Sequence, residues 1–332
     1  MCGIVAAYGP GAAELVSQAL PILEHRGPDS QGSIELGPCA LGMVRLAVLD
    51  PLPRADQPMS RGHINLVFNG EIYNFRQLRD ELFDLGHVFE TTSDTEVVLC
   101  AILQWGPGAL SRLDGMFGLA WWDQEIDTLF AARDRFGIKP LYWRGTPDGG
   151  VELASEVRAL QRNESEVSRK AIAEYLVFGS PISCTIFSDA HELMPGNLLT
   201  INGAALTVTS WLEPAAQCER GVTSPAMALQ SAIASHLVAD RKVGVFLSGG
   251  FDSAIVARGI RDAGASPLAI TLDTGANAIE VAGAVRTARE YGLDHHVVTV
   301  QRDDLGRLAQ DFITSQDQPT IDGFNTYLVS RA

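Results

Sequence analysis

Lysine is nearly missing from this 332-residue chain: of 25 basic side chains only Lys139, Lys170 and Lys242 are lysine, and they stand against 40 Asp and Glu, a net charge of −15. No run of basic residues offsets that balance, so nucleic acid and anionic membrane surfaces are repelled and neither is expected as a partner. Long apolar runs are absent as well; none reaches the roughly 18 residues that a membrane-spanning helix requires. The five cysteines, Cys2, Cys39, Cys100, Cys184 and Cys218, are odd in number and lack CxxC spacing, which argues against a closed disulfide framework and a zinc site. Met1-Cys2-Gly3-Ile4-Val5 puts no basic segment ahead of an apolar stretch, so no signal peptide is expected and the cytoplasm is the expected compartment.

What is present is the composition of a globular protein, 46% hydrophobic and 20% charged, with chain enough for two cores. Short apolar runs at 40–49, 64–68, 118–122, 128–132, 140–143 and 198–201, separated by Gly, Pro and Asp, predict strands. Apolar residues at three- and four-residue spacing predict helices over 12–23, 75–85 and 95–104. Residues 2–210 therefore read as an α+β domain of layered antiparallel sheets with helices. Residues 211–224 are polar and carry Pro214 and Gly221, the signature of a linker. From 225 the grammar changes to helix 225–237, strand 243–247, helix 253–262, strand 267–272, helix 280–291 and strand 296–300. That alternation predicts an α/β domain with a parallel sheet and a ligand at the carboxyl ends of its strands. A final helical pattern, Phe324, Tyr327 and Leu328 behind an Asp322 cap, runs to Ala332 without a stop signal. Three strands are few for such a sheet, so the second domain is expected to be incomplete.

Chemistry is concentrated in a few segments. Cys2 becomes N-terminal if Met1 is removed, and its α-amine, with a reference pKa of about 8, can then serve as base to its own thiol. Position two can also hold a cysteine by chance. Asn69-Gly70, after an apolar strand, pairs a side-chain amide with a backbone N–H, the donors an acyl-transfer oxyanion needs; a hairpin turn explains the dipeptide equally well. Arg45 breaks an apolar strand and Asp94 precedes a helix. Together they suit the carboxylate and ammonium of an amino acid, and separately they suit a strand-edge salt bridge and an N-cap. The strongest signal is Ser248-Gly249-Gly250-Phe251-Asp252-Ser253 between a buried strand and a helix. Backbone N–H groups at 248–250 would close on a pyrophosphate, with Asp252 as a Mg²⁺ ligand beside it. No Walker lysine follows, which disfavours an ordinary ATPase. His295-His296 alternate across a strand and so cannot share a metal; Trp121, Trp122 and Phe117 read as core.

With Cys2, His25-Arg26-Gly27-Pro28-Asp29, Arg45-Leu46, Asn69-Gly70-Glu71-Ile72-Tyr73-Asn74, Ser93-Asp94-Thr95-Glu96, Asp114-Gly115-Met116-Phe117, Arg133-Asp134-Arg135-Phe136-Gly137 and the Ser248–Ser253 string in that order, the sequence resembles the glutamine-hydrolysing asparagine synthetases of the B type. The resemblance implies an N-terminal nucleophile (Ntn) hydrolase domain joined to an ATP-pyrophosphatase domain, with glutamine, aspartate and ATP as substrates, Mg²⁺ as cofactor and a possible homodimer. It implies that Cys2 attacks the glutamine amide, that Asn69 and Gly70 hold the oxyanion, and that Arg45, Leu46, Ala47, Val48, Leu49, Glu71 and Asp94 bind the amino-acid end. Phe246 and Ile270 would meet adenine, and Ser248, Gly249, Gly250, Asp252 and Ser253 the pyrophosphate and its Mg²⁺. Ala47 departs from the family's usual Ser. The later Ser-Gly-x-Gly-x-Asp-Glu motif and the catalytic Glu and Lys of the family are absent, and Lys242 stands before its strand, at the wrong end of the sheet to substitute. The chain alone is thus expected to hydrolyse glutamine without completing aspartate activation. A stand-alone glutaminase, an amidotransferase for another carboxylate and a non-catalytic glutamine or nucleotide sensor are the alternatives.

Overall fold

Gly3–Tyr8 is apolar almost throughout, a run that suits a strand covered on both faces. In the computed structural model, which describes residues 2–212 and 224–331, Ile4 and Ala6 of this strand enter one core and Val5 and Ala7 another, as side-chain alternation requires. The chain divides into two units, Met1–Gln217 and Cys218–Ala332.

The first unit begins β1 (Gly3–Tyr8), α1 (Ala12–Leu23), β2 (Ser30–Leu36), β3 (Cys39–Arg45), β4 (Met59–Arg61), β5 (Ile64–Ile72), α2 (Phe75–Asp84), α3 (Asp94–Trp105). It continues β6 (Gly115–Asp123), β7 (Thr128–Arg133), β8 (Tyr142–Gly145), β9 (Val151–Ala154), α4 (Arg169–Phe178), β10 (His191–Glu192), β11 (Asn197–Asn202), β12 (Ala205–Ser210). Two six-stranded antiparallel sheets result, ordered β10-β8-β9-β1-β3-β2 and β12-β11-β7-β6-β5-β4. The core between them is built from Ile4, Leu41 and Met43 of one sheet and Val67, Trp122 and Leu199 of the other. Val16 and Leu20 of α1 cover the outer face of the first sheet, and α3 packs on β4 and β5 of the second. Trp121 and Trp122 are core as expected: Trp122 faces the other sheet, while Trp121 stacks on Phe130 at 4.7 Å between ring centroids.

The second unit runs α5 (Pro225–Ser235), β13 (Gly244–Phe246), α6 (Phe251–Asp262), β14 (Leu268–Asp273), α7 (Ala278–Tyr291), β15 (Asp294–Thr299), α8 (Leu305–Ser315), α9 (Phe324–Arg331). Its strands form a parallel sheet, β13-β14-β15, over a small core of Leu247, Ala257, Ala269, Ala284 and Ala288. His295 bonds Thr271 Oγ1 at 2.7 Å while the adjacent His296 is exposed, consistent with the strand reading of that pair.

Several local expectations change. The strand expected over 40–49 ends at Arg45, because the guanidinium turns back onto the carbonyls of Leu49 and Asp50 and draws 46–50 into a loop. Asn69-Gly70 is not a turn: it lies inside β5, paired with Gly118 and Phe117 of β6. Ser93, not Asp94, caps α3, its hydroxyl accepting from Thr95 N–H at 3.1 Å. Helix α9 begins at Phe324, and its first backbone bond, from Tyr327 N–H, ends on Gly323 O, one residue past Asp322. Of the predicted linker, residues 213–223 lie outside the described residues.

Candidate active site

Where β1 and β3 of one sheet meet β5 of the other, a cavity of about 240 Å³ opens, and Cys2 lines it. The residue immediately precedes β1, so the central strand anchors it. Its carbonyl accepts a 2.9 Å bond from Arg26 Nε, and its sulfur accepts from Leu46 N–H at 3.4 Å. Burial raises the thiol pKa, opposed in part by the Leu46 backbone. Arg26 is fixed in turn by Glu156 (Nη1 to Oε1, 2.8 Å). The loop that carries Arg26 lies flat on β3: a Cβ on Gly27 would fall 2.3 Å from the Val44 carbonyl carbon, so no side chain fits there.

Across the cavity stands β5. Asn69 is 1% exposed, and its Nδ2 has no hydrogen-bond partner among the described residues. An unsatisfied buried amide costs about 1–3 kcal/mol, which makes this donor the most informative atom of the site. Gly70 is excluded from carrying a side chain by Met116 O, 2.4 Å from the Cβ position. Burial pushes the Glu71 and Asp94 carboxyls upward, and Asp94 pushes Glu71 further. Asp94 Oδ2 accepts from Ile72 N–H at 3.0 Å, which ties the start of α3 to the end of β5.

Of the residues expected at a glutamine site, Cys2, Arg45, Leu46, Val48, Leu49, Asn69, Gly70, Glu71 and Asp94 line this one cavity. Ala47 does not; it is buried behind it with its N–H on Asp29 Oδ2 at 2.8 Å. Arg45 differs from the open fork expected of a carboxylate clamp. Its terminal nitrogens hold Asp56 Oδ1 (2.8 Å) and the carbonyls of Leu49, Asp50 and Leu52. Gln57 and Lys139 line the cavity unforeseen. Gln57 clips both backbone groups of Phe68, one residue before Asn69. The available signal for Lys139 was its place just after Arg133-Asp134-Arg135-Phe136-Gly137. Asp134 is fully buried and accepts from the N–H groups of Phe117, Phe136, Ile138 and Lys139, which folds that segment back toward Cys2.

The second unit has a cavity of about 360 Å³ at the carboxyl ends of β13 and β14, lined by Phe246, Ser248 and Ile270. Phe246 and Ile270 are register partners. Gly249, Gly250, Asp252 and Ser253 do not line it. Of the three backbone N–H groups expected to face a pyrophosphate, two are engaged within the loop: Ser248 N–H donates to Ser253 Oγ at 3.2 Å and Gly250 N–H to Ser248 Oγ at 3.1 Å. Gly249 presses on α7, where a Cβ would sit 2.5 Å from Glu280 O. Asn277, Glu280, Asn325 and Thr326 also line it; none was legible as a site residue. Among the described residues no group of three or more His, Cys, Asp or Glu could hold a metal. Asp252 as a single carboxylate fits a Mg²⁺ that arrives on a nucleotide's phosphates rather than one caged by protein.

Residues 1–212 match the glutamine amidotransferase domain family and residues 226–332 the asparagine synthase family. A Mycobacterium tuberculosis protein named for glutamine-hydrolysing asparagine synthetase is 34% identical over 97% of this chain and 55% of its own length. Asparagine synthetase 1 of Bacillus subtilis is 33% identical over 77% of this chain and 43% of its own. The chain thus spans about half the length of these relatives. Among solved structures, a glutamine phosphoribosylpyrophosphate amidotransferase of B. subtilis, complexed with ADP and GMP, superposes with a TM-score of 0.51 at 19% identity, covering 90% of this chain and 81% of that one. That likeness shows the fold alone. No helix among the described residues is long and apolar enough to cross a membrane.

Proposed function

Because the chain belongs to the glutamine amidotransferase family, we propose that its first unit, residues 2–210, hydrolyses glutamine at Cys2. The thiolate attacks the amide carbon, and the charge that develops on oxygen falls to Asn69 Nδ2 and Gly70 N–H. The amide nitrogen takes a proton and leaves as ammonia; water then cleaves the thioester, releasing glutamate and the thiol. Glu71 and Asp94 receive the substrate ammonium, and the 45–49 loop its carboxylate. Arg45, its terminal nitrogens already engaged, contributes charge there more than a free fork. Removal of Met1 would supply the α-amine as base. The observation that carries this reading is Asn69 Nδ2, without a hydrogen-bond partner among the described residues and in the same cavity as Cys2, a donor available where an oxyanion would form.

For the second unit, residues 225–332 beyond a linker at 211–224, the reading is ATP binding through Phe246, Ser248, Gly249, Gly250, Asp252, Ser253 and Ile270. Mg²⁺, held by Asp252 and the phosphates, would neutralise charge on the pyrophosphate. In the whole protein, aspartate would be activated as β-aspartyl-AMP and aminated by the ammonia, giving asparagine in the cytoplasm, with a homodimer as the proposed assembly.

The deciding experiment measures glutamine-dependent ammonia release by the purified chain, with mass spectrometry to establish whether Met1 is gone. Cys2→Ala is expected to abolish release. Ammonia production that survives Cys2→Ala, or a Met1-retaining chain of full activity, overturns the assignment of Cys2 as an N-terminal nucleophile.

A further inference from the structure

Lys139 is 6% exposed, whereas Lys170 and Lys242 are exposed, so the sole buried lysine of a lysine-poor chain lies in the wall of the Cys2 cavity. Burying an ammonium is costly unless it is compensated. Its backbone is clamped on both sides: its N–H donates to Asp134 Oδ2 at 3.0 Å and its carbonyl accepts from Arg133 Nε at 2.8 Å. A loop held this firmly aims its side chain rather than letting it seek solvent.

We propose that Lys139 is a positioning residue of the glutamine site: from the same cavity wall its ammonium orients the Glu71 carboxyl to receive the ammonium of glutamine. This rests on the glutaminase reading above. The titratable groups around Glu71 come from several elements, Asp94 of α3, Cys2 ahead of β1, Tyr73 just past β5 and Lys139 itself; those around Lys139 are Glu71, Cys2, Arg26 and Asp134. Glu71 is driven toward its protonated form by burial and by Asp94, and Lys139 opposes that; burial lowers the Lys139 pKa, and Glu71 and Cys2 raise it back. The cavity wall carries two carboxyls, Glu71 and Asp94, and two basic side chains, Lys139 and Arg45, of which Arg45 is already paired with Asp56. Without Lys139 the two buried carboxyls would share the site with less to oppose their protonation, and Glu71 would hold its proton to still higher pH.

The test is the pH dependence of ammonia release in Lys139→Met and Lys139→Arg. Lys139→Met is expected to raise KM for glutamine about tenfold at neutral pH and to move the acid limb of kcat/KM upward by about one unit, with kcat nearly unchanged. The sign follows from losing a cation: Glu71 holds its proton to higher pH, so the deficit shrinks as pH rises. Lys139→Arg should restore the profile, and in a Glu71→Gln background Lys139→Met should add little to KM. An unshifted acid limb, or a loss uniform in pH that Arg does not rescue, overturns the proposal and leaves Lys139 a structural role. Should Lys139→Met fail to fold, Lys139→Gln takes its place. If the wild type releases no ammonia, the catalytic reading has failed, and glutamine binding by calorimetry decides on Lys139: the same upward pH shift supports it, and unaltered or absent binding refutes it.

Discussion

At the scale of single residues, the proposed site rests on the Cys2 thiol and on one donor, Asn69 Nδ2, without a partner among the described residues. Asn69→Ala is expected to lower kcat by about 10²–10³-fold while leaving KM close to wild type, because the lost hydrogen bond strengthens only as charge develops on oxygen; steady-state ammonia release checks it. Glu71 and Asp94 have pKa values raised by burial, so substrate capture should be lost on acidification well above the ordinary Glu value of about 4.3. A kcat/KM profile that stays flat down to that value would remove these carboxylates from ammonium binding. Cys2, Asn69 and the Ser248–Ser253 string were legible in the sequence because their chemistry is local: the reactive groups are adjacent, and a motif can be read without knowing what lies opposite. Lys139 and Gln57 were not. Each acts across the gap between segments far apart in the chain, and nothing in Gly137-Ile138-Lys139-Pro140 says which carboxylate it will meet.

At the scale of elements, the loop after β7 and the loop after β13 bear on the two proposed sites. Asp134 collects four backbone N–H groups in a fully buried position. Asp134→Ala should therefore lower stability by at least about 2 kcal/mol, since buried donors lose their acceptor, and should raise KM for glutamine by loosening Lys139. Urea unfolding and kinetics on the same preparation would show both effects. In the second unit, Gly249→Ala places a Cβ against Glu280 O and should drive the loop off α7. Weakened ATP binding in equilibrium dialysis is the expected result, and unchanged affinity would separate the loop from the nucleotide. Element type was mostly legible from period alone, yet boundaries moved where side chains bond back on the chain. Arg45 ends β3 by holding its own loop, and Asn69-Gly70 stays in β5 because β6 pairs along its whole length.

At the scale of the molecule, a net charge of −15 predicts that the folded chain passes through heparin without retention even at low salt, where phosphate-mimicking polyanions bind basic proteins most strongly. Retention would reveal a basic face that the sequence does not announce. The change from antiparallel to parallel architecture was readable as well, since antiparallel strands need only turns whereas parallel strands need intervening helices, and that spacing is written along the chain. The sequence by itself determined the two kinds of sheet, the cysteine at position two and the glycine-serine turn, because periodicity, composition and adjacency are properties of the chain alone; the strand before that turn, expected buried, is half-exposed at Phe246. Only the tertiary structure decided that Cys2, Asn69, Glu71, Asp94 and Lys139 share one cavity, that Arg45 is already bound to its loop and that the Ser248–Ser253 turn satisfies part of its own backbone. Those outcomes depend on which distant groups meet in a space that excludes water, and burial there sets both the charges and the partners.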